Sequence, residues 1–460
     1  MNRAISSTNI TLAFTIAISL IAAIGISVLV PVKSFLIAMI ILIAVVSFIS
    51  NEVALILVIF SMLLSPEITL GTLGPQTESA RSITIRAEDI LLILLGLIWF
   101  TKTAIHKELG LITRTPLNKP IFIYIGVCFI STLFGVFAGD VKFLTGVFYV
   151  LKYFEYFVLY FIVVNNIDEP KHINHIIHAV FITCAVICIY GIYQIPGGKR
   201  VSAPFEGETG EPNTLGGYLL IMFFLSAGVF LFSRYRRERV LAAGLLLIIV
   251  FPFLFTLSRT SYLAFIPAAI VFIISIRKRV IVLIAVLLVI IVTPYFLPTP
   301  VTERLEYTFH QKPEHGQYKI GNIKLDTSTS ERLKTWIEST DDFLKHPLLG
   351  FGITGYKFRD AQYVRALLET GLIGLAAFIN LLFNLFRESI RIYRNLPSNS
   401  YKGLTLGYIA GLTALTVHSI GANTFIIIRI MEPFWLVTGL IISLGHIKTE
   451  NKLPEDTRIM

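Results

Sequence analysis

Runs of about twenty apolar residues recur along the whole 460-residue chain, and no other feature constrains its fold as tightly. In lipid every backbone N–H and C=O must be paired inside the segment, so such a run crosses the bilayer as a helix. Fourteen candidate spans can be drawn, near 9–31, 35–50, 52–65, 89–105, 120–138, 144–166, 173–195, 214–233, 240–258, 260–276, 280–297, 361–386, 404–422 and 424–445. Charged residues make up only 15% of the chain, against roughly 25% in soluble domains. The expected fold is an all-α integral membrane protein of about 12–14 transmembrane helices. The first span lacks a small-residue cleavage site and reads as a retained helix.

The formal charge of +10 has an address. Arg234, Arg236, Arg237 and Arg239 form one cluster, and Arg277, Lys278 and Arg279 a second. Arg387, Arg391, Arg394 and Lys402 form a third, and Lys102, Lys107, Arg114 and Lys119 a fourth. If the spans alternate, all four lie on one side, which the positive-inside rule makes cytoplasmic, with both termini on that side. The basic excess is therefore a topology signal, and nucleic acid is not an expected partner. The three cysteines, Cys128, Cys184 and Cys188, fall inside spans and offer neither a disulfide framework nor a zinc spacing, so no metal or cofactor is expected.

Four parts follow: N-terminal membrane helices over 1–297, a large extracytoplasmic loop over 298–360, C-terminal membrane helices over 361–445, and a cytoplasmic tail over 446–460. The loop is the one long hydrophilic stretch, and its nine basic and nine acidic side chains cancel. Ser328 and Glu331 have capping-box spacing. Leu333, Trp336, Ile337, Phe343 and Leu344 then recur at helical spacing up to Pro347, so the loop is expected to carry an amphipathic helix.

Polar groups at membrane depth are costly and are candidate functional residues by default. On the outer side, arginines run against the positive-inside rule: Arg259 in a tight turn, Arg81 and Arg86 before the fourth span, and Arg332 in the loop. Snorkelling to headgroups is one reading of them. The other is a phosphate-bearing lipid substrate, since the guanidinium fork matches phosphate oxygens. Arg365 and Glu369 have the spacing of an intrahelical ion pair, and Lys152 and Glu155 lie inside the sixth span. His418, Asn423, Arg429 and Glu432 are further intramembrane polar groups, and a lone histidine such as His418 reads first as a packing residue. His172, His175 and His178 are placed at the cytoplasmic interface and read as no metal site.

Three segments resemble the O-antigen ligase and Wzy polymerase superfamily of membrane glycosyltransferases. They are Leu257-Ser258-Arg259-Thr260-Ser261-Tyr262-Leu263; Ser330-Glu331-Arg332 through Trp336, followed by His346-Pro347-Leu348-Leu349-Gly350-Phe351-Gly352; and Asp360 through Gly374, which ends in Glu369-Thr370-Gly371-Leu372-Ile373-Gly374. Weaker echoes are Glu211-Pro212-Asn213-Thr214-Leu215-Gly216 and Lys152 through Tyr156. The resemblance implies a metal-independent glycosyltransferase of GT-C type, acting outside the cytoplasmic (inner) membrane on a polyprenyl-pyrophosphate-linked glycan. It implies that Arg259 and Arg332 hold the pyrophosphate leaving group, a role that fixed cations perform well. Arg86, Asn213, Tyr363 and Arg365 are further candidates for contact with the pyrophosphate or glycan, and Asp360 and Glu369 for a place beside the chemistry.

In similar ligases a catalytic histidine precedes the Gly of the Glu-Thr-Gly motif by eleven residues, and here that slot holds Asp360. The departure favours the polymerase branch, which joins repeat units into a surface polysaccharide. Asp360 is expected either to serve the acceptor hydroxyl or to cap the twelfth span; after it, Glu369, His310 and His315 are the next acid–base candidates. The same-family alternative is a ligase that moves a finished glycan to another acceptor. A transporter or flippase is the reading from a different class, although no internal repeat supports it. Membrane lipids, a flippase and a chain-length regulator are the expected partners.

Overall fold

The computed structural model describes residues 50–65, 67–72, 82–105, 113–204, 210–276, 302, 319–320, 323–324, 327–357, 360–397 and 399–449. Expected spans at 9–31, 35–50 (save Ser50) and 280–297 lie outside these residues, as do Arg81, His310, His315 and the basic cluster at 277–279. The described chain is helical: α1 Asn51–Leu64, α2 Ala87–Ile105, α3 Asn118–Ala138, α4 Phe143–Asn166, α5 Pro170–Gln194, α6 Pro212–Phe232, α7 Arg236–Phe255, α8 Arg259–Ile274, α9 Thr327–Phe343, α10 Gln362–Asn395, α11 Ser400–His418 and α12 Ile428–Thr449. Among the described residues, seven helices are long and apolar enough to cross a membrane, namely α3 to α7, α10 and α12, while α1, α2 and α8 are shorter apolar helices.

Helix α11 is buried in protein along most of its length, with Tyr401, Leu404, Leu406, Tyr408 and Leu415 almost wholly buried. It packs backbone to backbone on α6: a Cβ at Gly228 would sit 1.9 Å from the Gly403 carbonyl oxygen. Small residues at a helix crossing allow this approach where lipid supplies no hydrophobic drive. Trp435 of α12, packed against Tyr156, Phe157 and Tyr160 of α4, anchors the other half of the core.

Two short antiparallel strand pairs were not anticipated: β1 Glu67–Thr72 with β2 Ser82–Arg86, and β3 Lys319–Ile320 with β4 Ile323–Lys324. The loop helix is present as α9, and it ends at Phe343, four residues ahead of Pro347.

The described basic clusters meet at one end. Ser400 Oγ donates to Glu238 Oε2 at 2.6 Å, joining the 234–239 turn to the start of α11. Tyr393 Oη donates to the Ser275 carbonyl at 3.0 Å, and Arg114 and Arg391 line a common cavity of about 630 Å³. The N-termini of α6, α8 and α10 lie at the opposite end.

Candidate active site

Two hydrogen-bonded sets converge at that opposite end. In the first, Ser258 caps α8 through its side chain, which accepts from Ser261 N–H at 3.3 Å. Ser258 Oγ donates to Asn213 Oδ1 at 2.7 Å, bringing the Ser-Arg turn against the first turn of α6. Ser261 Oγ donates to Ser258 Oγ at 2.8 Å and lies 3.2 Å from His418 Nε2, at the last turn of α11. His418 Nδ1 lies 2.8 Å from Thr424 Oγ1. Ser261, His418 and Thr424 are fully buried, whereas Asn213 and Arg259 are half-buried at the helix starts. Two helix N-termini side by side present backbone N–H groups and positive dipole ends, which favour an anion.

The second set is built on α4 and α10. Lys152 pairs with Asp89 and, at 3.2 Å, with Glu155, and the Arg86 backbone N–H donates to Asp89 Oδ2 at 2.9 Å. The backbone of Arg86 is thereby tied to this charged group. On the next residue of α4, Tyr153 Oη accepts from Arg365 Nη2 at 3.3 Å. Arg365 and Glu369 are buried against each other at 3.1 Å, and Glu369 Oε1 also accepts the Thr354 N–H at 3.3 Å. Tyr363 is tied by its hydroxyl to the Thr416 carbonyl at 2.8 Å. Both sets touch the segment from Ser419 to Phe425, since Tyr156 Oη donates to the Phe425 carbonyl at 3.2 Å.

Asp360 stands exposed beside this junction, its Oδ1 accepting a long 3.5 Å bond from Asn423 Nδ2. It does not cap α10. The cap position is Ala361, with no side-chain cap bond, and the Gln362 N–H that a cap would serve donates to the Ser419 carbonyl at 3.0 Å. A tertiary partner has taken over the capping function, which leaves the carboxylate of Asp360 outside the helix.

The Glu-Thr-Gly and His-Pro-Leu-Leu-Gly-Phe-Gly segments form a backbone clasp. At Gly371, with φ 67° and ψ −169°, α10 breaks and loses its own i→i−4 pairing. The loop restores it: Phe351 N–H donates to Leu368 O and Gly352 N–H to Glu369 O, both at 2.9 Å, while Leu372 N–H donates to Pro347 O at 2.9 Å and Ile373 N–H to Leu348 O at 3.2 Å. Ser131 Oγ of α3 reaches the Glu369 carbonyl at 2.7 Å and also bonds Leu349 O. Non-helical backbone within a membrane domain is tolerated when its polar groups are met in this way.

Arg332 lies on α9, and its side chain is outside the described residues. Arg429 is buried as a staple, donating to the carbonyls of Leu63 at 3.3 Å and Pro204 at 2.6 Å. No group of three or more His, Cys, Asp or Glu residues able to hold a metal occurs among the described residues.

The clasp, the Ser-Arg turn and Asp360 fall within one matched segment. Residues 244–379 carry an O-antigen ligase (Wzy_C) domain. No curated protein matches the chain. The match spans just under a third of the chain; it supports glycan processing of the O-antigen ligase type in general, and the long apolar helices support a multi-pass membrane protein. Asn213, Lys152, His418 and Asn423 lie outside the matched segment yet join the same end of the molecule. The sequence does not connect His418 or the segment from Ser419 to Phe425 to the site, because Ser261 and Asp360 lie far from them in the chain; the intramembrane polar residues His418 and Asn423 are the signal it offers.

Proposed function

We propose that the protein is a polymerase that joins polyprenyl-pyrophosphate-linked oligosaccharide repeat units into a surface polysaccharide on the outer face of the cytoplasmic membrane. The observation that carries this reading is the meeting of Asn213, Ser258–Arg259 and the Asp360–Asn423 pair at the end opposite the basic clusters. Arg259 and the start of α8 hold the pyrophosphate, whose developing charge a fixed cation and helix dipole stabilise.

An acceptor hydroxyl attacks the anomeric carbon of the donor. The bond from that carbon to the pyrophosphate oxygen breaks, and the pyrophosphate leaves with the bonding pair. The hydroxyl proton passes to the Asp360 carboxylate and from there to water. Arg365 and Glu369 occupy each other and the Thr354 N–H. Their part in this reading is to fix the clasp from which Asp360 emerges, with no direct part in the chemistry.

A ligase that transfers a finished glycan is the second reading, favoured by the name of the matching family. The polymerase reading rests on Asp360 standing in the slot where similar ligases carry histidine. Reconstitution in liposomes with lipid-linked repeat units as sole glycan separates the two. Products of two, three and more repeats with release of polyprenyl pyrophosphate are expected; turnover only after a second, non-repeat acceptor is added would make the protein a ligase.

A further inference from the structure

The buried polar chain behind Arg259 has a direction. Ser258 spends its hydroxyl proton on Asn213 Oδ1, and Ser261 spends its own on Ser258. The Ser261 oxygen is then left to accept from His418, which requires the Nε2–H tautomer and makes Nδ1 an acceptor for the Thr424 hydroxyl. Four donations thus run one way, from Thr424 on the loop after α11 to Asn213 at the start of α6. Their effect is on the last carboxamide: its oxygen is engaged, which leaves the Nδ2 amino group as the half that can donate to a ligand beside Arg259.

We propose that His418 and Ser261 are positioning residues that orient the Asn213 carboxamide so that its amino group donates to an oxygen of the substrate's pyrophosphate. The inference rests on the function proposed above. It goes further in giving His418, a buried residue outside the matched domain, a task in donor recognition. A carboxamide turned the other way would set its oxygen against the phosphate and repel it, so orientation decides whether Asn213 helps or hinders.

A second way into the same chain involves no polar atom. A methyl at Gly216 would lie 2.3 Å from Ser261 Oγ, which must then rotate away and break the relay.

The test measures Kd for polyprenyl pyrophosphate alone, together with the melting temperature, on the full-length protein in nanodiscs. It then measures donor KM and kcat in liposomes. His418→Ala and Gly216→Ala are expected to weaken pyrophosphate binding about tenfold, as the loss of one hydrogen bond to a charged group does, and to raise donor KM alike with kcat little changed. Asn213→Asp, which keeps the bond to Ser258 but exchanges the donor for a carboxylate, should weaken binding further. His418→Gln can donate to Ser261 and accept from Thr424, and it should restore most of the affinity lost in His418→Ala. Unchanged Kd in His418→Ala and Gly216→Ala, with a lowered melting temperature only, would reduce the chain to a packing feature and overturn the proposal. Because Kd needs no turnover, altered binding in a protein that forms no polymer would refute the polymerase reading and leave the positioning role standing.

Discussion

Replacing Gly371 by alanine perturbs the point where α10 and the loop after α9 depend on each other. The backbone there, φ 67° and ψ −169°, lies in a region open essentially to glycine alone, and an added Cβ would stand 2.2 Å from the carbonyl carbon and oxygen of Leu348. Holding a side-chain-bearing residue in such a conformation costs about 1–3 kcal/mol. Relieving the clash by withdrawing Leu348 breaks at least the Ile373–Leu348 pair, and a buried backbone group left unmet costs about 1–3 kcal/mol more. Gly371→Ala should therefore destabilise the domain by about 2–6 kcal/mol, the sum of those two ranges. Thermal unfolding in detergent should show a clearly lower midpoint, and amide exchange should rise at Phe351, Gly352, Leu372 and Ile373 together. Gly126→Ala is the control: on α3 an added methyl meets nothing within 4 Å, so it should not destabilise, and relief of glycine's helix penalty should stabilise by up to about 1 kcal/mol. An unchanged midpoint and unchanged exchange in Gly371→Ala would refute the clasp.

Other expectations follow from the same geometry. Arg259→Ala should lower polymer formation about 10²–10³-fold while the protein still accumulates in the membrane, and Arg259→Lys should recover only part of it, since the fork is lost; full activity in the alanine variant would leave Arg259 a headgroup anchor. Asp360→Asn should stop chain growth without weakening polyprenyl pyrophosphate binding or stability, because the cap position of α10 is Ala361 and the Ser419 carbonyl meets the Gln362 N–H; ordinary polymer from the Asn variant would remove Asp360 from the mechanism. Asp342 is held below the usual carboxylate range by hydrogen bonds, first from Lys345 and then from Tyr356. The lowered group stabilises the folded loop above the ordinary carboxylate pKa of about 4, and that contribution is lost as pH falls through the depressed value. Proteolysis between Phe343 and Tyr356 should therefore be constant from pH 7 to about 5 and accelerate only below about 4; acceleration already near pH 6 would contradict it.

What the sequence disclosed, and what it hid, divides along the range of the forces involved. Helices inside the described residues sit close to where apolar runs placed them, because lipid imposes the same requirement on every span. The amphipathic loop helix was legible for a similar reason: Leu333, Trp336 and Ile337 repeat at helical spacing. The break at Gly371 was not, since Leu368 to Gly374 reads as unbroken helix until the loop supplies donors and acceptors from twenty residues away. Asp360 looked like a cap on local grounds, and the Ser419 carbonyl, a tertiary partner, displaced it. The i,i+4 spacing of Arg365 and Glu369 announced their ion pair, which the structure shows, whereas the bond from Thr354 N–H that ties Glu369 to the clasp was not legible. His418 read as a solitary packing residue; its place in a directed chain depends on Ser261, which is 157 positions away in sequence.

The central claim is that a lipid-linked pyrophosphate is held where α6, α8 and the Asp360 junction meet. A polyprenyl pyrophosphate carrying a photoreactive group on the first isoprene unit, cross-linked in native membranes and mapped by peptide mass spectrometry, tests it most directly. The account predicts adducts within residues 211–217 and 258–262, lost on competition with unlabelled polyprenyl pyrophosphate and sharply reduced in Arg259→Ala. Competable adducts confined to residues 234–239 or 387–402, at the basic end, would contradict it.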